Sequence, residues 1–203
     1  MPRERIGLFG GTFDPPHLGH LILASEGCAQ LKLTHLLWVL TPDPPHKRNQ
    51  RITPLKHRLA MVRLAVADNP SFELSRVELD RPGPHYTLDT VRMVASQNPN
   101  VDIILIIGGD SLRDLPTWRF PADLVSVCRL IGVMRRPGDS ADLPALERVL
   151  PGIQAKVRFV DVPLLEISSS EIRKRALKGK PFRYYLSPPV YDYIQQHHLY
   201  QKT

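Results

Sequence analysis

Short, continuously apolar runs recur along the chain, and polar segments long enough for a helix separate most of them. Runs of this kind, apolar without alternation, are typical of strands that are buried on both faces of a sheet. Six runs predict strands: Ile6–Phe9, Leu36–Leu40, Phe72–Leu79, Val101–Ile107, Leu130–Met134 and Val157–Val162. Strands that alternate with helices predict a three-layer, doubly wound α/β domain, a mostly parallel sheet with helices on both faces.

The segments between the strands carry helix signals. Thr53 is a suitable N-cap with Pro54 at the first helical position, and Ser168 precedes a segment with Glu171 in its first turn. The predicted helices are His17–Leu31, Pro54–Asn69, Thr87–Gln97, Leu143–Leu150, Ser168–Leu177 and Pro188–His198. Without a repeat or a long linker, the chain is expected to form one domain over residues 1–203. Ligands of doubly wound sheets bind beyond the carboxyl ends of the strands, so the loops that follow the strands are expected to hold the site.

Composition limits the classes of partner without choosing among them. The formal net charge of +7 suits nucleic acid, a membrane surface or small phosphorylated substrates. Cys28 and Cys128 lie far apart and outside any CxxC motif, which argues against a disulfide framework or a zinc site and favours a reducing compartment. The N-terminus does not read as a signal peptide, and the longest apolar run, Ile103–Ile107, is too short to span a bilayer. We therefore expect a cytoplasmic protein without a membrane partner.

The stretch GGTFDPPHLGH, Gly10 to His20, lies between the first strand and the first helix. Gly10 and Gly11 allow the backbone to approach a ligand, and the N-terminus of the following helix favours phosphate. His17 and His20 are three residues apart, so both project from one face of the first turns. Between them, Gly19 is unfavourable in a helix unless it opens access to a ligand. The histidines are interpreted as phosphate donors; structural histidines and a metal pair are the alternatives.

The stretch ISSSEIR, Ile167 to Arg173, stands near the other end of the chain and has complementary chemistry. Ser168 and Ser169 offer hydroxyl and N–H groups at a helix start, and Arg173 can hold a phosphate with two parallel hydrogen bonds. Lys174 and Arg175 are interpreted as a solvated helix face. The chain contains neither a P-loop, GxxxxGK[ST], nor GxGxxG after the first strand, nor the GxSxG of hydrolases.

Together the two stretches resemble the HxGH and ISSTxIR motifs of the nucleotidylyltransferase superfamily, with Ser170 in place of threonine. The resemblance implies a Rossmann-like fold and ATP as a substrate, with magnesium delivered by ATP and no metal site of the protein's own. His17, His20 and Arg173 would be the catalytic residues. ATP would be bound by Gly10, Gly11, Thr12, Phe13, Gly108, Asp110, Ser168 and Ser169.

Three further strings follow predicted strands or precede a helix: TPDPPHKR from Thr41, GPHYTLDT from Gly83 and IGGDSLRDLPTW from Ile107. Pro44 and Pro45 would hold Lys47 rigidly enough to meet a phosphate, although a basic surface loop explains the same string. The other two strings hold an aromatic residue before a helix and an aspartate at the carboxyl end of a strand, where ribose hydroxyls commonly bind. Trp118 could stack on a flat ring or serve as a packing residue.

These strings, with the final YLSPPVYDYI, resemble bacterial nicotinate-nucleotide adenylyltransferases over nearly the whole chain. The implied reaction joins AMP from ATP to nicotinate mononucleotide and gives deamido-NAD and pyrophosphate in NAD biosynthesis. The mononucleotide would be bound by Lys47, Tyr86, Thr87, Trp118 and Arg119, the last largely through its backbone. His85 stands where the family has serine.

Two alternatives stay open at this level. Another adenylyl- or cytidylyltransferase, such as the phosphopantetheine enzyme, would share both signature motifs but lack the PPHK and LPxW strings. A nucleic-acid-binding protein is suggested by the basic run from His46 to Arg51, but the chain has no RNA-binding or helix-turn-helix motif. The expected partners are therefore the two small substrates and no nucleic acid; a homo-oligomer is neither favoured nor excluded.

Overall fold

The strands form one six-stranded sheet in which neighbouring strands are parallel. A computed structural model describes residues 3–44, 52–135, 142–163 and 165–201. The strands are β1 Arg5–Gly11, β2 His35–Leu40, β3 Phe72–Ser75, β4 Asp102–Gly108, β5 Leu130–Arg135 and β6 Val157–Asp161. Their order in the sheet is β3-β2-β1-β4-β5-β6. All six predicted strands are present, but β3 is four residues long and not eight. It ends early because the next segment folds into a turn in which the carbonyl of Arg76 accepts from the N–H groups of Leu79 and Asp80.

Helices connect the strands on both faces, as predicted. They are α1 Leu18–Leu31, α2 Leu55–Val66, α3 Thr87–Gln97, α4 Gly109–Asp114, α5 Pro121–Val127, α6 Leu143–Val149, α7 Ile153–Lys156, α8 Ser169–Leu177 and α9 Pro188–Gln196. The short helices α4, α5 and α7 were not predicted; the segment that holds α4 was expected to be a loop.

The start of α2 differs from the prediction. Pro54 is the N-cap and not the first helical residue, with a non-helical ψ of 140°. Thr53 does not cap the helix: its side chain is hydrogen-bonded to Tyr200, its N–H donates to Asp14 and its carbonyl accepts from Arg58. Long-range contacts therefore place the boundary one residue later.

Two hydrophobic clusters sandwich the sheet, and side chains of one strand alternate between them. Leu105 of β4 belongs to the cluster under α3 to α7, whereas Ile104 and Ile106 belong to the cluster under α1 and α2. This burial on both faces explains the continuously apolar runs. A third cluster joins α8 and α9 to the outer side of α2.

The two central strands separate at their carboxyl ends. β1 pairs with β4 only as far as Phe9, which is opposite Ile106, but it stays paired with β2 through Gly10 and Gly11. The two glycines, expected in a loop, therefore end the strand. The gap beyond Phe9 lies where the strand order reverses, the position at which doubly wound sheets bind ligands.

Within the described residues, no helix has the length and apolar character needed to cross a membrane. The cytoplasmic location and the single domain over residues 1–203 stay predictions.

Candidate active site

A cleft of about 870 Å³ opens above the gap between β1 and β4. Ten of the predicted site residues line it: Gly10, Gly11, Thr12, His20, Tyr86, Thr87, Gly108, Asp110, Trp118 and Arg119. Phe13, His17, Ser168, Ser169 and Arg173 are not among the lining residues. Lys47 lies outside the described residues. The topology thus brings together residues that are up to 109 positions apart, from Gly10 to Arg119.

The two histidines of the first motif stack on each other at the start of α1. Their ring centroids are 3.7 Å apart, and the backbone N–H of His17 donates to Nδ1 of His20 over 3.2 Å. Because Nδ1 accepts, the hydrogen of the neutral His20 ring is on Nε2. The ring lines the cleft, so this tautomer makes Nε2 a hydrogen-bond donor at the site.

The structure gives a reason for Gly19 that the sequence did not predict. A Cβ at this position would lie 3.0 Å from Nδ1 and 3.1 Å from Cε1 of His17. The absent side chain therefore makes room for the buried imidazole of His17, while access of a ligand at Gly19 stays a prediction.

The side chain of Phe13 is part of the core, and the predicted role of this residue in binding ATP stays a prediction. Phe13 is 2% exposed and lies among Phe9, Trp38 and His20, with ring centroids 5.0–5.5 Å away. Its backbone is left-handed, with φ of 46°. The ring of Phe13 packs against the imidazole of His20.

The second motif is bound to the loop of the first through hydrogen bonds. Ser169 Oγ donates to the carbonyl of Pro15 over 2.8 Å, and Arg173 Nη1 donates to the carbonyl of Asp14 over 2.7 Å. Ser168 caps α8 by accepting from the N–H of Glu171. The expected donation from the Ser169 hydroxyl to phosphate is therefore not available here, because its one hydrogen is used on Pro15. The other N–H groups of the first turn of α8 remain as donors.

A buried polar network, missed from the sequence, holds the same loop from the other side. Arg58 of α2 is 2% exposed and donates to four backbone carbonyls: those of Thr12, Thr41, Pro42 and Thr53. Burial lowers the pKa of Arg58, and the Asp14 carboxylate opposes that effect. The only sequence signal for this role is an arginine within the apolar pattern of α2, which a solvent-exposed face explains equally well.

Gly108 and Asp110 form the cleft wall at the end of β4. The carboxylate of Asp110 folds back over Gly108, where an added Cβ would lie 2.5 Å from Oδ1. The same Oδ1 accepts from the N–H of Ser111 over 2.9 Å. Asp110 is exposed, so its remaining acceptor capacity faces the cleft and suits the hydroxyl groups of a ribose.

The opposite side of the cleft is aromatic and cationic. Trp118 follows a 3₁₀ turn over Leu115–Thr117, packs partly against the core and also lines the cleft. Its packing role is therefore observed, and stacking on a flat ring stays a prediction. The guanidinium of Arg119 lies 5.6 Å from the ring centroid of Tyr86 and 4.5 Å from that of Phe120. This contact joins the segment before α3 to the segment after α4.

Comparison with known proteins agrees with this geometry. The model of the family described as "Cytidylyltransferase-like" matches residues 8–175. The chain is 42% identical over 198 residues to "Probable nicotinate-nucleotide adenylyltransferase" of Thermomicrobium roseum, covering 98% of this chain and 92% of that protein. It is 39% identical over 198 residues to "Nicotinate-nucleotide adenylyltransferase" of Bacillus subtilis, covering 98% and 99%. This chain belongs to the nicotinate-nucleotide adenylyltransferase family.

Solved structures support the fold of this family member. Plasmodium falciparum nicotinic acid mononucleotide adenylyltransferase, complexed with NaAD, has a TM-score of 0.80 and 22% identity, and 97% of each chain is covered. The same enzyme complexed with APC has a TM-score of 0.78. Both comparisons confirm the Rossmann-like α/β architecture.

A second buried network of this adenylyltransferase-family chain lies beneath the Tyr86 side of the cleft, and it too was missed from the sequence. Thr90 donates to Oε1 of Glu78 over 2.7 Å and accepts from Arg81 over 3.1 Å. Arg81 also donates to the carbonyl of Pro84. His85, the departure from the family pattern, lines the cleft with Glu78. The network fixes the turn that presents His85 and Tyr86.

The described residues of this chain include no group of three or more His, Cys, Asp or Glu side chains that could hold a metal ion. The histidine pair at the start of α1 therefore has no third ligand of these types in that part of the chain. Magnesium carried by ATP stays a prediction.

Proposed function

We propose that this chain transfers the adenylyl group of ATP to nicotinate mononucleotide and gives nicotinate adenine dinucleotide (deamido-NAD) and pyrophosphate, a step of NAD biosynthesis. One observation carries the proposal: a single cleft is lined from one face of the sheet by His20 and from the other by Trp118. A cleft with two recognition surfaces, one suited to phosphates and one to an aromatic ring, fits a reaction that joins two nucleotides.

Charge determines the mechanism. A phosphate oxygen of the mononucleotide attacks the α-phosphorus of ATP in line, the bond to the β-phosphate oxygen breaks, and pyrophosphate leaves. The attacking phosphate is already ionised, so no general base is needed. Two unit charges 4 Å apart interact with about 4 kcal/mol at an effective dielectric constant of 20, so each cation or donor beside the phosphates matters. The barrier is then lowered by positioning and by stabilising the charge on the leaving group.

The phosphate contacts are assigned to the start of α1. The space beside Gly10 is open, since a Cβ at this position would meet no atom within 4 Å. The triphosphate can therefore approach the backbone of Gly10 closely. His20 donates through Nε2, and the N-terminus of α1 adds its positive dipole. His17 supports His20 by stacking, while Arg173, held beside the loop by Asp14, supplies the cation.

The substrate contacts are assigned to the other walls of the cleft. Asp110 accepts from the ribose of ATP, and Trp118 stacks on the pyridine ring beside Tyr86. Backbone N–H groups of Thr87 and Arg119 meet the nicotinate carboxylate. Lys47 is expected to bind the mononucleotide phosphate, a role that rests on the sequence alone. Magnesium is expected to arrive with ATP.

A substrate panel tests the proposal. Pyrophosphate release is followed with ATP and, in turn, nicotinate mononucleotide, nicotinamide mononucleotide and phosphopantetheine. We expect the nicotinate substrate to react fastest; faster turnover of phosphopantetheine would contradict the acceptor assignment. Tight binding of RNA or DNA together with no pyrophosphate release from any pair would contradict the enzyme assignment.

Variants test the phosphate contacts. His20→Ala or Arg173→Ala should lower kcat/KM about 10²- to 10³-fold, the usual effect of one transition-state donor. Lys174→Ala is the matched control, because this side chain is exposed on the same helix as Arg173. Equal activity of Arg173→Ala and Lys174→Ala would show that Arg173 has no phosphate role.

A further inference from the structure

The tyrosine at position 200 reaches the loop between β1 and α1 from 186 residues away. Its hydroxyl donates to Oδ1 of Asp14 over 2.7 Å. Burial, and then the neighbouring Asp14 carboxylate, raise the pKa of Tyr200, so the hydroxyl keeps its proton and acts as a donor. Neither Tyr200 nor the carboxylate of Asp14 contacts a substrate in the proposed reaction.

Asp14 is the point at which three parts of the chain meet. The side chain is 3% exposed, with Oδ1 on Tyr200 and Oδ2 on the N–H of Thr53. Its main-chain carbonyl accepts from Nη1 of Arg173, the cation assigned to the phosphates. A shift of Asp14 therefore moves a residue that binds Arg173 directly and lies between Thr12 and His17.

A buried carboxylate is strongly destabilised when one of its donors is removed. Without the Tyr200 hydroxyl, Oδ1 of Asp14 would have to find another donor, and the adjacent segment would move with it. The ring of Tyr200 packs separately, among the apolar residues of α2, α8 and α9. Packing and hydrogen bonding by this residue can therefore be separated by removing only the oxygen.

We propose that Tyr200 is a positioning residue for ATP: its hydroxyl holds the Asp14 carboxylate and thereby fixes the carbonyl that orients Arg173 beside the phosphate-facing segment, residues 10–17. The inference rests on the proposed function in assigning the phosphates to this segment. It extends the site to a side chain that neither lines the cleft nor belongs to either signature motif.

Tyr200→Phe is the test variant, and Tyr184→Phe, at a tyrosine that is 87% exposed, is its matched control. ATP binding is measured by calorimetry without an acceptor, and kcat and both KM values are measured by pyrophosphate release well below the Tm of each variant. We expect Tyr200→Phe to raise the Kd and KM for ATP roughly tenfold, the factor equivalent to about 1.4 kcal/mol, and to leave the KM for nicotinate mononucleotide unchanged. Tyr184→Phe should behave as the wild type.

A double-mutant cycle with Asp14→Ala, which removes the acceptor of the Tyr200 hydroxyl, shows whether the effect passes through Asp14. In the Asp14→Ala background, Tyr200→Phe should add little further loss, because the hydroxyl no longer has a carboxylate to hold. Fully additive losses, an unchanged Kd for ATP in Tyr200→Phe, or equal losses for both substrates would overturn the inference. Calorimetry of ATP binding tests the role of Tyr200 independently of the proposed function. If the wild type binds ATP but does not use nicotinate mononucleotide, the acceptor assignment is wrong. The comparison of the Kd for ATP between Tyr200→Phe and the wild type still decides the role of Tyr200 in that case.

Discussion

At the scale of single residues, the proposed phosphate contacts and the side chains that support them are interleaved in one short segment. His20 lines the cleft, but its orientation depends on the ring of His17 stacked upon it and on the buried ring of Phe13 beside it. His17 in turn lies over Gly19. A small residue can therefore be essential for activity without touching a substrate.

Gly19→Ala tests this dependence. The added Cβ would lie 3.0 Å from His17 Nδ1, so the stacked pair has to move, whereas alanine itself favours the helix by about 1 kcal/mol. We expect kcat/KM to fall about 10- to 100-fold with little loss of Tm. Gly27→Ala in the same helix is the control, since its Cβ would meet only the end of the Ile106 side chain, at 3.2 Å. Similar kinetics for the two variants would contradict a positioning effect of Gly19.

Trp118 is both a packing residue and a wall of the cleft, so its removal should change stability and selectivity together. We expect Trp118→Ala to weaken use of nicotinate mononucleotide by about 1–3 kcal/mol, the range of base–aromatic stacking. The preference for nicotinate over nicotinamide mononucleotide should decrease, because a pyridine ring that no longer stacks on Trp118 is not held in the orientation in which its carboxylate accepts from the backbone N–H groups. Thr87→Ala, which retains those backbone donors, should do less. Kinetics of both variants with both mononucleotides measure the ratio; if it is unchanged in Trp118→Ala, selectivity resides elsewhere, with His85 and Arg119 the next candidates.

At the scale of elements, α2 does more than cover the sheet. It carries Arg58, whose guanidinium binds the carbonyls of loops that follow β1 and β2 as well as the segment before α2 itself. Loops are usually the most variable parts of a fold. Here a buried cation makes two of them part of the rigid structure beneath the cleft.

Arg58→Met retains the apolar stem and removes the donors. Four partly buried carbonyls lose a partner and the Asp14 carboxylate loses a nearby positive charge, so we expect a loss of about 3–5 kcal/mol in the free energy of unfolding. Arg63→Met on the exposed side of the same helix should stay within about 0.5 kcal/mol of the wild type. Urea unfolding measures both; comparable losses would mean that Arg58 contributes no more than a surface arginine.

The sequence predicts the elements whose cause is local. Six apolar runs, Thr87 at the start of α3 and Ser168 as the cap of α8 all follow from periodicity or capping chemistry, and the structure confirms them. It does not predict α4 and α5, because Gly109 and Pro121 at their starts read as loop residues. Nor does it show that Thr53 is bound by Asp14 and Arg58 instead of capping α2. Such contacts connect positions far apart in sequence, and only the folded topology brings them together.

The candidate site divides in the same way. Residue types and a family resemblance single out Gly10, His20, Asp110 and Trp118 in the segments that follow β1 and β4 or end β1, and all of them line the cleft. The sequence does not reveal which groups hold them there. Asp14, before two prolines, and Tyr200, after the last helix, each have many possible partners when only the sequence is known. The folded structure shows that they form a hydrogen bond with each other.

At the scale of the whole molecule, the two cysteines report on opening of the fold. Cys128 is fully buried, and burial raises the pKa of its thiol to about 12, although the positive charge of Lys156 acts in the opposite direction. Cys28 is partly buried, and burial raises the pKa of its thiol to about 11. At pH 8 roughly one Cys128 thiol in 10⁴ would be ionised, so the folded protein should react extremely slowly with alkylating reagents.

Labelling of Cys128 in a Cys28→Ser background should therefore require unfolding. If that opening is global, ATP at 100 times its Kd should slow the labelling about 100-fold, because ligand bound only to the native state suppresses the unfolded one. Mass spectrometry after timed alkylation gives the rate, with a denatured sample as the reference. A rate that does not respond to ATP would assign the opening to local movement of the end of α5 instead.

The hydrogen bonds from Ser169 to Pro15, from Arg173 to Asp14 and from Tyr200 to Asp14 span 154, 159 and 186 residues. On the ribosome, the glycines and histidines of the first motif are therefore made long before the groups that hold them. A nascent chain spends most of its synthesis without these three hydrogen bonds, and a translation product that stops before α8 lacks all of them. Such a fragment still has both histidines and Arg58, but the residues that fix this segment from the C-terminal side are missing, so we expect its affinity for ATP to be lower than that of the full chain.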